Sequence, residues 1–360
     1  MAKSIYFVVH NFSGSAGGGV NRVISETANE LSKDLNYDVN ILSLADLEGT
    51  AYPVVEKVKL HSLGMEKHST TQYKGVFKVL WLLFAFIAVY NFYREQEQPS
   101  TWNLTSPPLI ILFAFMFKGK NKFINCEHTS PQRKKSNFVT DFFYKFFLNR
   151  GDLTVSLNQH DQHYYEKKGI KAKLIYNGIK FPEKIEKEKE KTIIFVGRFE
   201  YEKNPLAALE IFYASELWKN DYKLKLFGYG KYHEDILSGI NEYGMENYVE
   251  IISNEKNPDK IYYKAKYLIM TSKFEGFGMV LVEAMSRGVP CIAYDCPNGP
   301  SDIIHDGVNG YLIPNQNKEI FIKKLKEIPF FELNQVMESV QKFNILNIVE
   351  NWKLLMDRNF

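Results

Sequence analysis

Hydrophobic residues along this chain come in short blocks, each closed by a polar or glycine-rich turn. Residues 4–9, Ser-Ile-Tyr-Phe-Val-Val, are apolar at nearly every position, which predicts a strand buried on both faces. A Gly-rich turn follows, then a helical pattern to about residue 31, then a second strand at 38–44. The same rhythm restarts after residue 191. Strands are predicted at 192–196, 223–227, 249–252, 267–270, 289–294 and 310–313, each followed by a helical or turn-rich segment. Between the two series, residues 182–191, PEKIEKEKEK, are charged and lack apolar periodicity, as a linker would be. Strands alternating with helices imply parallel sheets covered on both faces. The predicted architecture is α/β, with two doubly wound, Rossmann-like domains at 1–182 and 183–342. Such sheets bind ligands beyond the carboxyl ends of their strands, where the strand order reverses. Strand-end residues therefore carry the candidate chemistry.

One segment breaks the rhythm. Residues 76–93, VFKVLWLLFAFIAVYNFY, are apolar except for Lys78 and Asn91, with an unbroken run of 12 residues from 79 to 90. A bilayer core needs about 20. A span would also place residues 1–75 and 94–360 on opposite sides of a membrane and split the motifs below, so it is rejected. Apolar residues on all faces leave two readings, a helix buried in the core or one lying against lipid. A second apolar run, 109–117, suits a buried strand. Residues 118–150 then hold eight basic residues (Lys118, Lys120, Lys122, Arg133, Lys134, Lys135, Lys145, Arg150) against two acidic ones, interleaved with Phe142, Phe143, Phe146 and Phe147. Basic and aromatic character together suit an anionic bilayer surface. A solvated basic face over an aromatic core is the plainer alternative.

Composition sharpens the picture. A length of 360 residues suggests about two domains, each large enough for its own core. With 45% hydrophobic and 24% charged residues, collagen-like, disordered and disulfide-scaffold classes are excluded. The net charge of +3 argues against a nucleic-acid partner. That average conceals an asymmetry. Residues 1–182 carry 22 basic and 15 acidic side chains, a net of +7, while 183–360 carry 23 and 27, a net of −4. Three cysteines, Cys126, Cys291 and Cys296, with no CxxC, fit a reducing compartment and argue against structural zinc. The first residues are too short in their apolar part for a signal peptide, so a cytoplasmic location is expected.

The first predicted strand ends at Gly14-Ser15-Ala16-Gly17-Gly18-Gly19-Val20-Asn21-Arg22. Glycines there let backbone N–H groups approach an anion at a helix start. The pattern is not G-x-G-x-x-G and no acidic ribose partner follows, which disfavours a dinucleotide oxidoreductase. At the start of the second series, Val196-Gly197-Arg198 leads to Lys203, and these two cations can clamp two phosphates, Arg by its fork and Lys as a point charge. No D-x-D pair occurs in the chain, so a bound diphosphate would be neutralised by these cations in place of a metal. The sharpest element is Ser272 to Met285, SKFEGFGMVLVEAM, in which Glu275 follows a strand and Glu283 lies in the helix that Gly276-Phe277-Gly278 opens. A helix start attracts phosphate, and the carboxylates can accept hydrogen bonds from sugar hydroxyls.

Glu275 to Glu283 resembles the E-x7-E signature of family-4-type retaining glycosyltransferases with the GT-B fold. Val196-Gly197-Arg198 with Lys203 is similar to that family's diphosphate clamp. Tyr176-Asn177-Gly178-Ile179 resembles the turn ending its N-terminal domain, and Gly18 to Val23 its opening glycine loop. Residues 342–352 resemble its closing helix, which crosses back onto the first domain. The likeness is strongest from about 192 to 313 and weaker across 50–170, where acceptor recognition is expected. The resemblance implies two domains facing across a cleft, with Arg198 and Lys203 on the donor diphosphate and Glu275 on the donor sugar. Backbone N–H groups of Phe277, Gly278, Met279 and Val280 would assist, Glu283 would bind the ribose, and Gly18 and Gly19 would let the diphosphate approach. In Glu127-His128-Thr129, His128 resembles the family's active-site histidine. Asn21 and the loop Asn298-Gly299-Pro300-Ser301 depart from the usual Glu and Gly-Gly, which leaves the transferred sugar open.

These residues supply cations and N–H groups for a departing diphosphate and carboxylates for hydroxyls, but no nucleophile held by a base. Catalysis would rest on leaving-group stabilisation and positioning. Glycoside hydrolysis gives the phosphate clamp no role. The expectation is a metal- and cofactor-independent retaining hexosyl- or N-acetylhexosaminyltransferase. It would use a nucleotide diphosphate sugar, UDP-linked by preference, and a glycan acceptor, including a lipid-linked one, in capsule, lipopolysaccharide or other surface polysaccharide synthesis. Location on the inner face of the cytoplasmic membrane would follow. A non-enzymatic glycan-binding subunit and a GT-B epimerase or phosphorylase are the alternatives.

Overall fold

The computed structural model describes residues 2–14, 18–65, 76–116, 119–128, 138–186 and 188–357, with backbone alone at 76–79 and 138–141. Ser15–Gly17 of the glycine loop, Lys118, Thr129 and Arg133–Lys135 lie outside the described residues. The chain divides into two compact units, Met1–Gly178 with Ile345–Phe360, and Ile179–Asn344. The charged run at 182–191 thus belongs to the second unit.

The first unit is a seven-stranded parallel sheet. Its strands are β1 (Lys3–Val9), β2 (Tyr37–Ala45), β3 (Lys59–Met65), β4 (Ser100–Leu104), β5 (Lys122–Cys126), β6 (Leu153–Ser156) and β7 (Ala172–Leu174), in the order β3-β2-β1-β4-β5-β6-β7. The order reverses between β1 and β4. Side chains alternate across β1. Ile5, Phe7 and Val9 join one core and Tyr6 and Val8 the other, so each face needs its own helical cover. Helix α1 (Gly19–Leu31) covers the first face, together with the C-terminal helix (Ile345–Asp357), which buries Ile345, Ile348, Val349, Trp352, Leu355 and Met356 there. A Cβ at Gly178 would lie 3.0 Å from both Ile345 and Ile348, so the chain passes closest to this helix where it has no side chain.

The second face of this sheet is covered by α2 (Val76–Arg94), α3 (Pro107–Ala114), α4 (Phe138–Arg150) and α5 (Gln159–Lys167). One expectation is corrected here, and one open reading is narrowed. The apolar run expected as a strand at 109–117 is helical through Ala114, and Phe117 lies outside the described residues. Two prolines at the start of α3 follow Ser106, an arrangement that suits the first helical turn, where no N–H partner is needed. The apolar helix α2 is not buried all round. Trp81, Ala85, Val89 and Tyr93 recur every four residues and pack on the sheet, while Leu80, Leu83, Phe84 and Ile87 face outward. No helix among the described residues is long and apolar enough to cross a membrane.

The second unit is a six-stranded parallel sheet of β8 (Thr192–Val196), β9 (Lys223–Phe227), β10 (Val249–Ile252), β11 (Tyr267–Met270), β12 (Cys291–Asp295) and β13 (Gly310–Pro314), in the order β10-β9-β8-β11-β12-β13. Its helices are α6 (Pro205–Ser215), α7 (His233–Tyr243), α8 (Pro258–Tyr262), α9 (Met279–Met285), α10 (Pro300–Ile303), α11 (Lys318–Lys326) and α12 (Leu333–Glu338); the C-terminal helix above is α13. The reversal of order falls between β8 and β11. Their following loops are the two that carry Lys203 and Glu275.

Truncating Trp352 tests the contribution of α13 to the first unit. Trp352→Ala is expected to destabilise that unit by about 3–5 kcal/mol, the usual loss for a buried aromatic, read as a lowered urea midpoint. An unchanged midpoint would show that α13 is dispensable to that core.

Candidate active site

Four strand-end loops of the second unit converge. After β8, Gly197 donates its N–H to Phe227 O at 2.9 Å and Phe199 to Tyr229 O at 2.7 Å, so the β8 and β9 loops run side by side. That approach depends on Gly228, whose φ is 157° and where a Cβ would sit 1.9 Å from Gly197 O. After β11, Lys273 N donates to Glu202 O at 2.8 Å, and Thr271 Oγ1 donates to Asn204 O at 2.9 Å. The Lys273 ammonium lies 3.7 Å from the Tyr201 ring centroid, a third tie between the same loops. The β12 loop closes on Gly299, with φ 126° and an imaginary Cβ only 2.0 Å from Phe277 O.

This stitching brings Lys203 and Glu275 together. Lys203 Nζ donates to Glu275 Oε1 at 2.6 Å and Oε2 at 2.7 Å, and Ser272 Oγ donates to Oε1 at 2.6 Å. The Glu275 side chain is 7% exposed, so its charge needs these partners. Lys203 neutralises Glu275, while the side chain of the exposed Arg198 has no hydrogen-bond or ion-pair partner among the described residues. Beside the pair, the buried Cys296 thiol is pushed up to about 12 by desolvation first and by the Glu275 charge second.

Gly278, with φ 96°, precedes α9, and Met279 and Val280 form its first turn, where N–H groups have no intrahelical acceptor. Phe277 is buried against Phe343, with ring centroids 5.3 Å apart. Glu283 is buried farther along α9 and accepts a hydrogen bond from Tyr262 Oη at 2.7 Å. Sequence reasoning missed Ser272 and Tyr262 as partners of the two carboxylates. It also missed Gly228-Tyr229-Gly230, although a Gly-x-Gly directly after a predicted strand was a readable signal.

In the first unit, Gly18 and Gly19 open α1. An added Cβ at either would meet nothing within 4 Å among the described residues, whose packing does not demand glycine there. Gly18 N donates to Tyr52 Oη at 3.2 Å, and Asn21 is buried and donates to Asn11 O at 2.8 Å. His128 follows β5, with Nε2 3.8 Å from Cys126 Sγ and Nδ1 buried without a hydrogen-bond partner among the described residues. Burial lowers its pKa to about 4, so the imidazole is neutral at pH 7 and serves as a hydrogen-bonding group rather than a cation. The preceding Glu127 is buried, accepts from Tyr144 Oη of α4, and lies 3.4 Å from Tyr165 Oη of α5. Burial, followed by the Glu127 charge, raises both phenols far above their usual range and keeps them as donors.

The family described as Glycosyl transferases group 1 matches residues 178–329. The amylovoran biosynthesis glycosyltransferase of Erwinia amylovora is 30% identical over 329 residues, covering 87% of each chain. A Campylobacter jejuni α-1,4-N-acetyl-D-galactosaminyltransferase, named for an undecaprenol-diphosphate-linked substrate, is 26% identical and covers 94% of this chain and 95% of its own. In fold, a lipopolysaccharide outer core galactosyltransferase structure superposes with a TM-score of 0.77 at 20% identity, covering 98% of this chain and 99% of that one. The two parallel α/β units are those of the GT-B class. Within that class, the chain belongs to the glycosyl transferases group 1 family.

Two outcomes test the electrostatics. Lys203→Ala leaves the Glu275 carboxylate without its cation and is expected to cost about 3 kcal/mol of stability. Glu275→Gln in the same chain should restore most of it, as measured by urea unfolding. For His128 the folded pKa lies below the ordinary 6.5, so protonation favours the unfolded chain. Its contribution is complete above pH 6.5 and is lost as pH falls toward 4, by up to about 3 kcal/mol. His128→Asn should flatten that part of the stability–pH curve; an unchanged slope would refute the burial effect.

Proposed function

We propose that this protein is a retaining, metal- and cofactor-independent glycosyltransferase of bacterial surface polysaccharide assembly. It moves a hexose or N-acetylhexosamine from a nucleotide diphosphate sugar, UDP-linked by preference, to a lipid-linked glycan at the inner face of the cytoplasmic membrane. The observation that carries this reading is the Lys203–Glu275 pair at the β8/β11 reversal, where an open α/β sheet binds its ligand. The Campylobacter jejuni relative's undecaprenol-diphosphate-linked substrate supports the acceptor class.

The second unit binds the donor. Arg198 is free to meet a phosphate, and Lys203 supplies positive charge as the diphosphate leaves. Glu275, held in one orientation by Lys203 and Ser272, accepts hydrogen bonds from donor hydroxyls. Glu283 takes the ribose, and the N–H groups around Phe277–Val280 assist the phosphates. In the first unit Gly18, Gly19 and the neutral His128 imidazole stand at strand ends, and His128 offers a hydrogen-bonding group that adds no positive charge. The acceptor attacks from the face that the diphosphate vacates, which retains configuration.

A donor screen read by nucleotide diphosphate release tests the reading. One UDP-hexose or UDP-N-acetylhexosamine should be turned over, equally well with a chelator present. Glu275→Ala and Lys203→Ala should abolish turnover, and full activity in either would sink the assignment. Gly18→Ala and Gly19→Ala should leave stability intact and lower turnover about tenfold to a hundredfold. Wild-type rates in both would remove these glycines from the site.

A further inference from the structure

We propose that the outward faces of α2 and α4 form one docking surface for an anionic lipid bilayer. Single exposed apolar residues are ordinary on a protein surface, but neighbouring helices that both expose them are not. On α2 the outward stripe is Leu80, Leu83, Phe84 and Ile87, with Phe84 63% exposed. On α4, Leu148 turns inward while Phe142, Phe143 and Phe146 turn outward, Phe142 being 60% exposed. Helix α3 packs against both, and Phe115 just beyond its end is 62% exposed, with its ring 5.8 Å from that of Phe147.

Charge selects the occupant. Helix α2 carries Lys78 and Arg94 and no carboxylate, and α4 carries Lys145 and Arg150 against a single carboxylate, Asp141. Lys145 and Arg150 are exposed, as is Lys120 in the turn before β5. Aromatic and aliphatic side chains beside cations suit a negative headgroup layer over acyl chains. A second copy of this chain docking by the same face would instead bring the cations toward their own counterparts. Helix α2 is held to the sheet along its Trp81–Tyr93 stripe, so it can lie in the interface but not enter it end-on.

The surface also backs onto the candidate acceptor side. Tyr144, next to Phe143 on α4, points inward and donates to Glu127, the residue before His128. A lipid-linked glycan held at this surface would therefore start close to that strand end. This consequence rests on the function proposed above, whereas lipid binding itself does not.

Co-sedimentation of the full chain with vesicles of phosphatidylcholine plus phosphatidylglycerol, and of phosphatidylcholine alone, tests the proposal. Wild type should bind the anionic vesicles at low salt and less well the neutral ones. Phe84→Ser/Phe143→Ser should weaken binding about tenfold or more, and Lys145→Glu should narrow the preference for anionic lipid. Because these side chains are exposed, circular-dichroism melting should match wild type, as should any nucleotide diphosphate release in solution. Vesicle binding by a chain that turns over no donor would sustain the surface and refute only the enzymatic reading. Failure of wild type to bind either vesicle, equal binding by the double variant, or a concentration-dependent dimer abolished by it would overturn the proposal.

Discussion

The ion pair between Lys203 and Glu275 ties together the strand-end loops of the second unit. A carboxylate this buried is unfavourable unless a cation and hydrogen-bond donors reach it, and Lys203 and Ser272 supply both. The two partners are 72 residues apart and meet because β8 and β11 are neighbours at the point where strand order reverses. Chain reversal leaves a gap between successive crossovers there, and the loops after both strands fold into it. A single interaction thereby converts a topological feature into a chemical one.

The pairing also requires backbone segments to approach more closely than side chains allow. Gly228 lets the β9 loop lie against Gly197, and Gly299 lets the β12 loop lie against Phe277. Neither position tolerates a Cβ, and both have φ values that L-residues with side chains rarely adopt. At Gly18 and Gly19 the opposite holds, since nothing among the described residues occupies the space a side chain would take. Glycines of the first kind are explained by folding; those of the second kind call for a reason outside it.

Much of the second unit was legible in the sequence. The strands 192–196, 223–227, 249–252 and 267–270 coincide with β8 to β11, because short β-rich blocks flanked by turns leave one reading at those lengths. Glu275, Glu283 and Lys203 were likewise visible from their strand-end and helix positions. Their partners were not, since no local pattern encodes a contact such as Ser272 to Glu275 or Tyr262 to Glu283. The first unit was harder. Residues 109–117 carry no periodicity to separate strand from buried helix, and only the paired prolines at 107 and 108 marked a helix start. The inward turn of Tyr144 onto Glu127 is set by how α4 packs, which apolar content alone does not determine.

Helix α2 shows what an all-round apolar pattern leaves undecided. Its sheet-facing stripe, Trp81, Ala85, Val89 and Tyr93, suffices to hold it in place. Folding makes no demand on Leu83, Phe84 or Ile87, and in water their exposure is unfavourable. The charge asymmetry of the sequence gives these surplus residues a context, because the +7 segment contains both this helix and the cations near α4. A near-neutral average therefore combines a basic, apolar unit with an acidic one whose Lys203 is already committed to a carboxylate. If only solubility mattered, apolar stripes and cations would be better dispersed. Concentrating both on one face of one unit is the arrangement expected where two unlike environments, water and a charged lipid surface, meet the same protein.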